Sequence, residues 1–229
     1  MSTVITGVSS MATRVILGEL SGRYQDASGI EVAIRSMGGV DAAKLIRAGE
    51  VTDVVVLASG VMSQLEAEGH LLAGSIRGFT RSGMAIVVRS GAPHPDIGNE
   101  AAVQRAVGAA RKVGYSTGPS GDHLLQLCTG WGLLPEGADR MVKAPPGVPV
   151  GSLVAQGDAD LGFQQLSEFL GVDGIEIVGP LPPEIQAVTV FAAGVCSASS
   201  RPDEARALIA YLASPETADL KRRHGMDPA

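Results

Sequence analysis

The sequence predicts an α/β protein of the doubly wound kind. Short β-type runs alternate with amphipathic stretches from the first residues onward. Val54-Val55-Val56-Leu57-Ala58 is a continuous apolar run rich in β-branched residues, as in a parallel strand covered on both faces. Small polar loops separate several strands from the helix that follows, which is the arrangement of β-α-β units.

The elements follow in order. Thr3 to Val8 reads as a first strand, and Ser9-Ser10 precede a helix on which Met11, Val15, Ile16 and Leu20 share a face. Ser10 is placed to cap that helix, and Gly29 to end it. Glu31 to Arg35 alternates as a strand, and Gly38-Gly39 forms a loop. Asp41 is a cap candidate for a second helix that runs through Ala48 and stops at Gly49. The Val54 strand leads into a third helix from about Val61 to Ala67.

The middle of the chain reads as a second lobe. Met84 to Arg89 is a strand, broken by Gly91-Ala92-Pro93-His94-Pro95. Asn99 to Arg111 is an amphipathic helix and Val113 to Ser116 a short strand. Thr117 to Gly121 is a loop that opens a helix from Asp122 to Trp131, and Pro145-Pro146-Gly147 is a turn. Val150 to Gln156 is helical, Leu161 to Gln165 is a buried strand, and Ile175 to Val178 is another. Ala187 to Val195 is a β-type run long enough to pass from one lobe to another. Helices from Pro202 to Ala213 and from Pro215 to His224 close the chain.

Composition narrows the function. The 229 residues are 45% hydrophobic and 18% charged, enough apolar material for a sizeable core. Aromatics are 3% and the net charge is −6, so neither stacking platforms nor a basic footprint for nucleic acid is present. No uncharged apolar stretch reaches the length of a membrane span. The N-terminus has no Lys or Arg before Arg14 and no unbroken apolar run. As written, the chain is expected in the cytoplasm; if Met1 replaces a cleaved leader, in the periplasm. Cys128 and Cys196 each lie in apolar stretches and read as buried thiols.

Candidate chemistry gathers where strands end and helices begin. In an open parallel sheet these loops lie at the carboxyl ends of the strands, where ligands bind. Free backbone N–H groups and the positive end of the helix dipole favour an anion there. The loops supply Ser9, Ser10 and Met11, then Gly38-Gly39, then Ser59, and in the second lobe Ser116, Thr117, Ser120 and Gly121. Ordinary turns and caps would use the same residues, but these loops are predicted to converge. Arg35, near the end of the second strand, can clamp a carboxylate or lie on the surface. His123, at a helix start, can bind an anion or act as an acid/base, or be a partly buried structural histidine. Gln164-Gln165 are two amides ending a buried strand and must find partners, in a ligand or in neighbouring loops. No spacing of His, Cys, Asp and Glu suits a metal, and no nucleotide motif is present, so neither metal nor cofactor is expected.

Several stretches resemble the molybdate-binding-protein type of ABC-transporter solute receptor. They are the opening strand with Ser9-Ser10, Ala48 to Leu57, Arg89 to Ile97, Val154 to Gly162, and Tyr211 to Glu216. The resemblance covers nearly the whole chain and rests on the order and spacing of these pieces. It implies a two-lobed type II periplasmic-binding-protein-like fold. Two crossover strands, near Gly78 to Gly83 and Gln186 to Phe191, would join the lobes, with a ligand clamped between them by hinge closure. Lobe one would comprise residues 1–80 and 190–229, and lobe two residues 81–189. Receptors of this type usually carry a hydroxyl residue where this chain has Gly38-Gly39, and commonly a Tyr near Phe163-Gln164-Gln165. The ligand thus stays open between an oxyanion and an organic carboxylate.

Two functions fit. One is a binding protein for a small anion, partnered by an ABC-transporter permease if exported. The other is a cytosolic isomerase that shifts a proton on a carboxylate metabolite, with Arg35 as clamp and His123 as the acid/base.

Overall fold

The structure is a computed structural model that describes residues 4–134, 138–145 and 147–229. Its elements in chain order begin with β1 (Val4–Ser10), a 3-10 turn (Met11–Thr13), α1 (Arg14–Ser28), β2 (Glu31–Met37), α2 (Gly39–Arg47), β3 (Val54–Ala58) and α3 (Ser59–Ala67). Then come β4 (Arg77–Arg89), α4 (Glu100–Ala109), β5 (Val113–Tyr115), α5 (Pro119–Gly130), β6 (Met141–Lys143), α6 (Val150–Gln156) and β7 (Leu161–Gln165). The chain finishes with α7 (Leu166–Phe169), β8 (Ile175–Pro180), β9 (Val188–Val195), α8 (Pro202–Ala213), α9 (Ala218–Arg223) and β10 (Asp227–Pro228). Thr3 and Pro146, which the sequence places in the first strand and in a turn, lie outside the described residues.

The chain divides into two compact units, one of Met1–Arg81 with Thr189–Ala229 and one of Ser82–Val188. Strands β4 and β9 carry residues of both.

In the first unit β2, β1 and β3 are parallel neighbours, with Ser9 opposite Ser36 and Val56. β9 runs antiparallel beside β3, and β10 pairs with the first half of β4. Alternate residues of β3 enter different cores. Val54 and Val56 pack with α1 and α8 through Ile16, Leu20, Leu208 and Leu212, while Val55 and Leu57 pack with α2 and α3 through Ala42, Ile46, Met62 and Leu65. That double burial is why the run has no polar face.

Asp53, just before β3, ties this sheet together. Its Oδ2 accepts hydrogen bonds from the Thr6 backbone N–H (2.9 Å) and hydroxyl (3.0 Å), and its Oδ1 accepts one from the Ser199 hydroxyl (2.6 Å). Removing a buried acceptor leaves its donors unpaired, at about 1–3 kcal/mol. Asp53→Ala is therefore expected to destabilise the first unit by about 2–3 kcal/mol in urea melts, with Asp53→Asn losing less. Equal stability of Asp53→Ala and wild type would contradict this account.

In the second unit β4 pairs antiparallel with β7 and β8, and β5 lies parallel between β7 and β6. Met84, Ile86 and Val88 pack with Val103, Leu124 and Phe163 on one face, and Ala85 and Val87 with Val150, Val154 and Phe169 on the other. Gly162 lets β7 lie under α6, because a Cβ there would stand 2.8 Å from both Val154 and Val87.

Two cap expectations need correction. Ser10 occupies the N-cap position of the first turn, but its side chain caps nothing. Asp41 lies inside the first turn of α2, whose N-cap is Gly38. Helix α5 begins at Pro119 rather than Asp122, with Gly118 as its N-cap.

Candidate functional site

Each unit is built so that parallel strands deliver helix starts to one edge. In the first unit β1, β2 and β3 end at Ser10, Met37 and Ala58, side by side. The 3-10 turn, α1, α2 and α3 begin there, and none has a side-chain cap. By contrast the Asn99 side chain of α4 accepts from the Ala102 N–H at 3.0 Å. A row of first turns without side-chain caps adds the positive ends of the helix dipoles along that edge.

Ser10 is the unusual member of this edge. It is 7% exposed, and its Oγ has no hydrogen-bond partner among the described residues. A buried hydroxyl without a partner is costly and calls for an explanation. A Cβ on Gly39 would lie 3.9 Å from the Ser10 Cβ, so this hydroxyl-bearing side chain stands beside the first turn of α2. Ser9 differs: its hydroxyl is paired with that of Ser36 at 2.8 Å. Gly38 is the α2 N-cap, while Met11 and Ser59 are half-buried at the starts of the 3-10 turn and α3.

Arg35 lies on edge strand β2 and is exposed, with its guanidinium paired to Glu50. A ligand carboxylate would have to displace Glu50 to use it. An exposed pair of this kind contributes little to stability.

In the second unit the ends of β5, β6 and β7 share one edge. Ser116, Thr117 and Gly118 lead into α5, and the Ser116 and Ser120 hydroxyls pair at 3.0 Å. Gly121 permits an unusually close approach, because a Cβ there would stand 1.8 Å from the Ser116 carbonyl oxygen. His123 places Nε2 2.7 Å from the Ile185 carbonyl. That carbonyl can only accept, so Nε2 donates to it.

Gln164 finds its partners inside the protein. Its Oε1 accepts from the Val150 N–H at 2.9 Å, and its Nε2 donates to Glu168 Oε2 at 2.6 Å. Gln165 is 2% exposed beside it. Glu168 was not legible as a site residue. Its only signal was its place four residues after Gln164. Burial pushes its carboxyl up to about 8 against the lowering effect of Gln164.

Other reactive groups are quiet. Burial pushes the Cys128 thiol up to about 11 and the Cys196 thiol up to about 12, so neither is a thiolate at neutral pH. Among the described residues no His, Cys, Asp and Glu cluster is arranged to hold a metal, and no helix is long and apolar enough to cross a membrane.

Two α/β units that share two strands, each with a row of uncapped helix starts on one sheet edge, have the build of a receptor for a small solute. The chain belongs to the family described as Bacterial extracellular solute-binding protein, whose sequence model matches residues 5–227. It is 35% identical over 232 residues to an aconitate isomerase from Pseudomonas sp., an alignment covering 99% of this chain and 88% of that one. In three dimensions it is similar to the periplasmic molybdate-binding protein of Azotobacter vinelandii. There the TM-score is 0.83 and the identity 22%, over 97% of this chain and 98% of the other. A tungstate ABC transporter structure from Geobacter sulfurreducens matches with a TM-score of 0.72 and 17% identity, over 93% and 95% of the two chains. The type II periplasmic-binding-protein fold of the molybdate-binding kind, expected from the sequence, is the fold found.

Proposed function

We propose that this protein binds a small organic anion with two or three carboxylates. The observation that carries the reading is the buried, unpartnered hydroxyl of Ser10 beside the uncapped first turn of α2. A ligand carboxylate would accept from that hydroxyl and from the free amides of the turn. Ser9, Met11, Gly38, Gly39 and Ser59 are proposed to complete the binding surface on this edge of the first unit, and Ser116, Thr117, Ser120, Gly121 and Gln165 are proposed as ligand contacts on the corresponding edge of the second. A polycarboxylate is preferred to an oxyanion because the aconitate isomerase is the relative with substantial sequence identity, whereas the molybdate and tungstate proteins share the fold at 22% and 17%.

The test is a thermal-shift panel of trans-aconitate, cis-aconitate, citrate, molybdate, tungstate and sulfate. A true ligand at ~100 times its dissociation constant adds about 2.7 kcal/mol of stability. The tricarboxylates are expected to shift the melt and the oxyanions to leave it unchanged. Ser10→Ala is expected to weaken trans-aconitate binding about tenfold or more, the loss of a hydrogen bond to a charged group. The unliganded melt should hold or rise, because that hydroxyl has no partner among the described residues. Silence of all three tricarboxylates would overturn the reading.

A second reading adds catalysis, and the 35% identity over 99% of the chain favours it. Here the bound acid is isomerised by moving a proton between two carbons, with the sequence pointing to His123 as the acid/base. Proton NMR of trans-aconitate with the protein in deuterated water tests it: exchange at the carbon-bound positions supports catalysis, and binding without exchange excludes it. The binding reading brings an ABC-transporter permease as partner and a location outside the cytoplasm; the isomerase reading needs neither.

A further inference from the structure

Glu168 stands in α7 just past the carboxyl edge of β7, four residues after Gln164. The same edge carries the Ser116 loop and the start of α6. The orientation of Gln164 fixes that of Glu168. The Val150 N–H can only donate, so the Gln164 oxygen faces it at 2.9 Å and the amide nitrogen faces Glu168 Oε2 at 2.6 Å. Oε2 therefore accepts, and a proton on this carboxyl resides on Oε1. Oε1 makes no hydrogen bond among the described residues. The elements packed most closely on α7 are β7 and α6, and neither carries a titratable side chain. Their contribution is apolar, from Val150, Leu153, Val154 and Phe169. Among the described residues no other ionisable group acts on Glu168, whose carboxyl is raised by burial to about 8.

We infer that Glu168 is the catalytic residue that moves the proton, through Oε1, in an isomerisation of an unsaturated tricarboxylate. The inference rests on the isomerase reading above. His123 is the less suitable group, since Nε2 is spent on the Ile185 carbonyl. The step balances with the carboxyl alone. Ionised Oε1 takes a proton from the methylene carbon beside the double bond; a C–H bond breaks and an O–H bond forms. The electron pair spreads over the allylic carbons into the neighbouring carboxylate. The same O–H then gives its proton to the far alkene carbon, where a C–H bond forms. The double bond has moved by one carbon and Glu168 is ionised again. Gln164 holds Oε2 throughout. A carboxyl that ionises near neutral pH suits both halves of the step.

The experiment measures turnover of trans-aconitate by NMR in deuterated water, with binding measured separately by thermal shift. Wild type is expected to turn over with kcat rising as pH increases through about 8, because the base must be ionised. Glu168→Gln keeps the shape of the protonated side chain and an oxygen for Gln164. It is expected to lose about a hundredfold or more in kcat, with trans-aconitate binding within about threefold of wild type. Should Glu168→Gln fail to fold, Glu168→Asp decides, with an expected loss of about tenfold or more in kcat at unchanged KM. Wild-type kcat and pH profile in the deciding variant would overturn the assignment of Glu168 while the isomerase reading stood. A wild type that binds trans-aconitate without exchanging it would overturn both.

Discussion

Gly121→Ala is expected to destabilise the second unit by about 3 kcal/mol, at the upper end of what overpacking costs. For a unit of this size that lowers its melting temperature by about 10 °C or more. A Cβ at this position would lie 1.8 Å from the Ser116 carbonyl oxygen, 2.9 Å from its carbon and 3.2 Å from the Tyr115 ring. The nearest obstacle is backbone, so no rotamer change relieves it. The loop that must move carries the Ser116 and Ser120 hydroxyl pair and the Gly118 cap of α5. Loss of ligand binding should therefore accompany loss of stability. Gly130→Ala, in the same helix, is the control. Nothing lies within 4 Å of its would-be Cβ, and it should hold or gain up to about 1 kcal/mol. Equal melts for the two variants would refute the close-approach account.

Lys221→Met is expected to stabilise the first unit by about 2 kcal/mol at pH 7. Lys221 is 1% exposed, and its Nζ makes no hydrogen bond or ion pair among the described residues. The ammonium stands 5.0 Å from the centre of the Phe79 ring, a cation–π contact that offsets part of the burial cost. Desolvation lowers its pKa from 10.5 to about 8. Between those values the unfolded chain holds a proton that the folded chain has released, so stability rises with pH across the window. Below about 8 both states are protonated and the penalty is constant. Wild type should therefore gain stability from pH 8 to pH 10.5 relative to the methionine variant, and the two melts should converge at the alkaline end. A variant that melts below wild type at pH 7, with a parallel pH trace, would show that the ammonium has a partner holding its charge.

The sequence made legible those elements whose burial has a period and whose ends have a chemical mark. Helices Val150–Gln156 and Pro202–Ala213 are found at their expected limits. The first is stopped by Gly157 at φ 84°, and the second is opened by Pro202 in its first turn. The starts of α2 and α5 were misread because their N-caps, Gly38 and Gly118, carry no side chain to signal them. Asp41 took the place of the first as cap candidate, and the start of α5 was set at Asp122. Strands β6 and β10 and helix α7 are too short to show a period.

At the candidate site, hydroxyls and glycines in strand-to-helix loops were visible as residue types. Which hydroxyl was unpartnered was not, because it depends on contacts across the sheet. The Ser9 hydroxyl meets that of Ser36, while the Ser10 hydroxyl has no partner among the described residues. Alternation placed Arg35 on the correct strand but could not show Glu50 as its partner. Glu168 and Lys221 are neither apolar nor in a motif. In Leu220-Lys221-Arg222-Arg223 nothing separates the buried lysine from its exposed neighbours.

The division of the first unit between the two ends of the chain bears on the order of events during synthesis. The second unit is one continuous segment and can close its core once Val188 has left the ribosome. The first unit cannot. Half of the residues in the core behind β3 come from Phe191 onward, among them Leu208, Leu212 and Leu220, and β3 lacks its antiparallel neighbour until β9 emerges. At roughly 5–20 residues per second, β1, β2 and β3 wait about 7–30 seconds with one apolar face only partly covered by α1. The N-terminal strands are translated first and finished last, and in that interval the nascent chain is most exposed to aggregation and most in need of a chaperone.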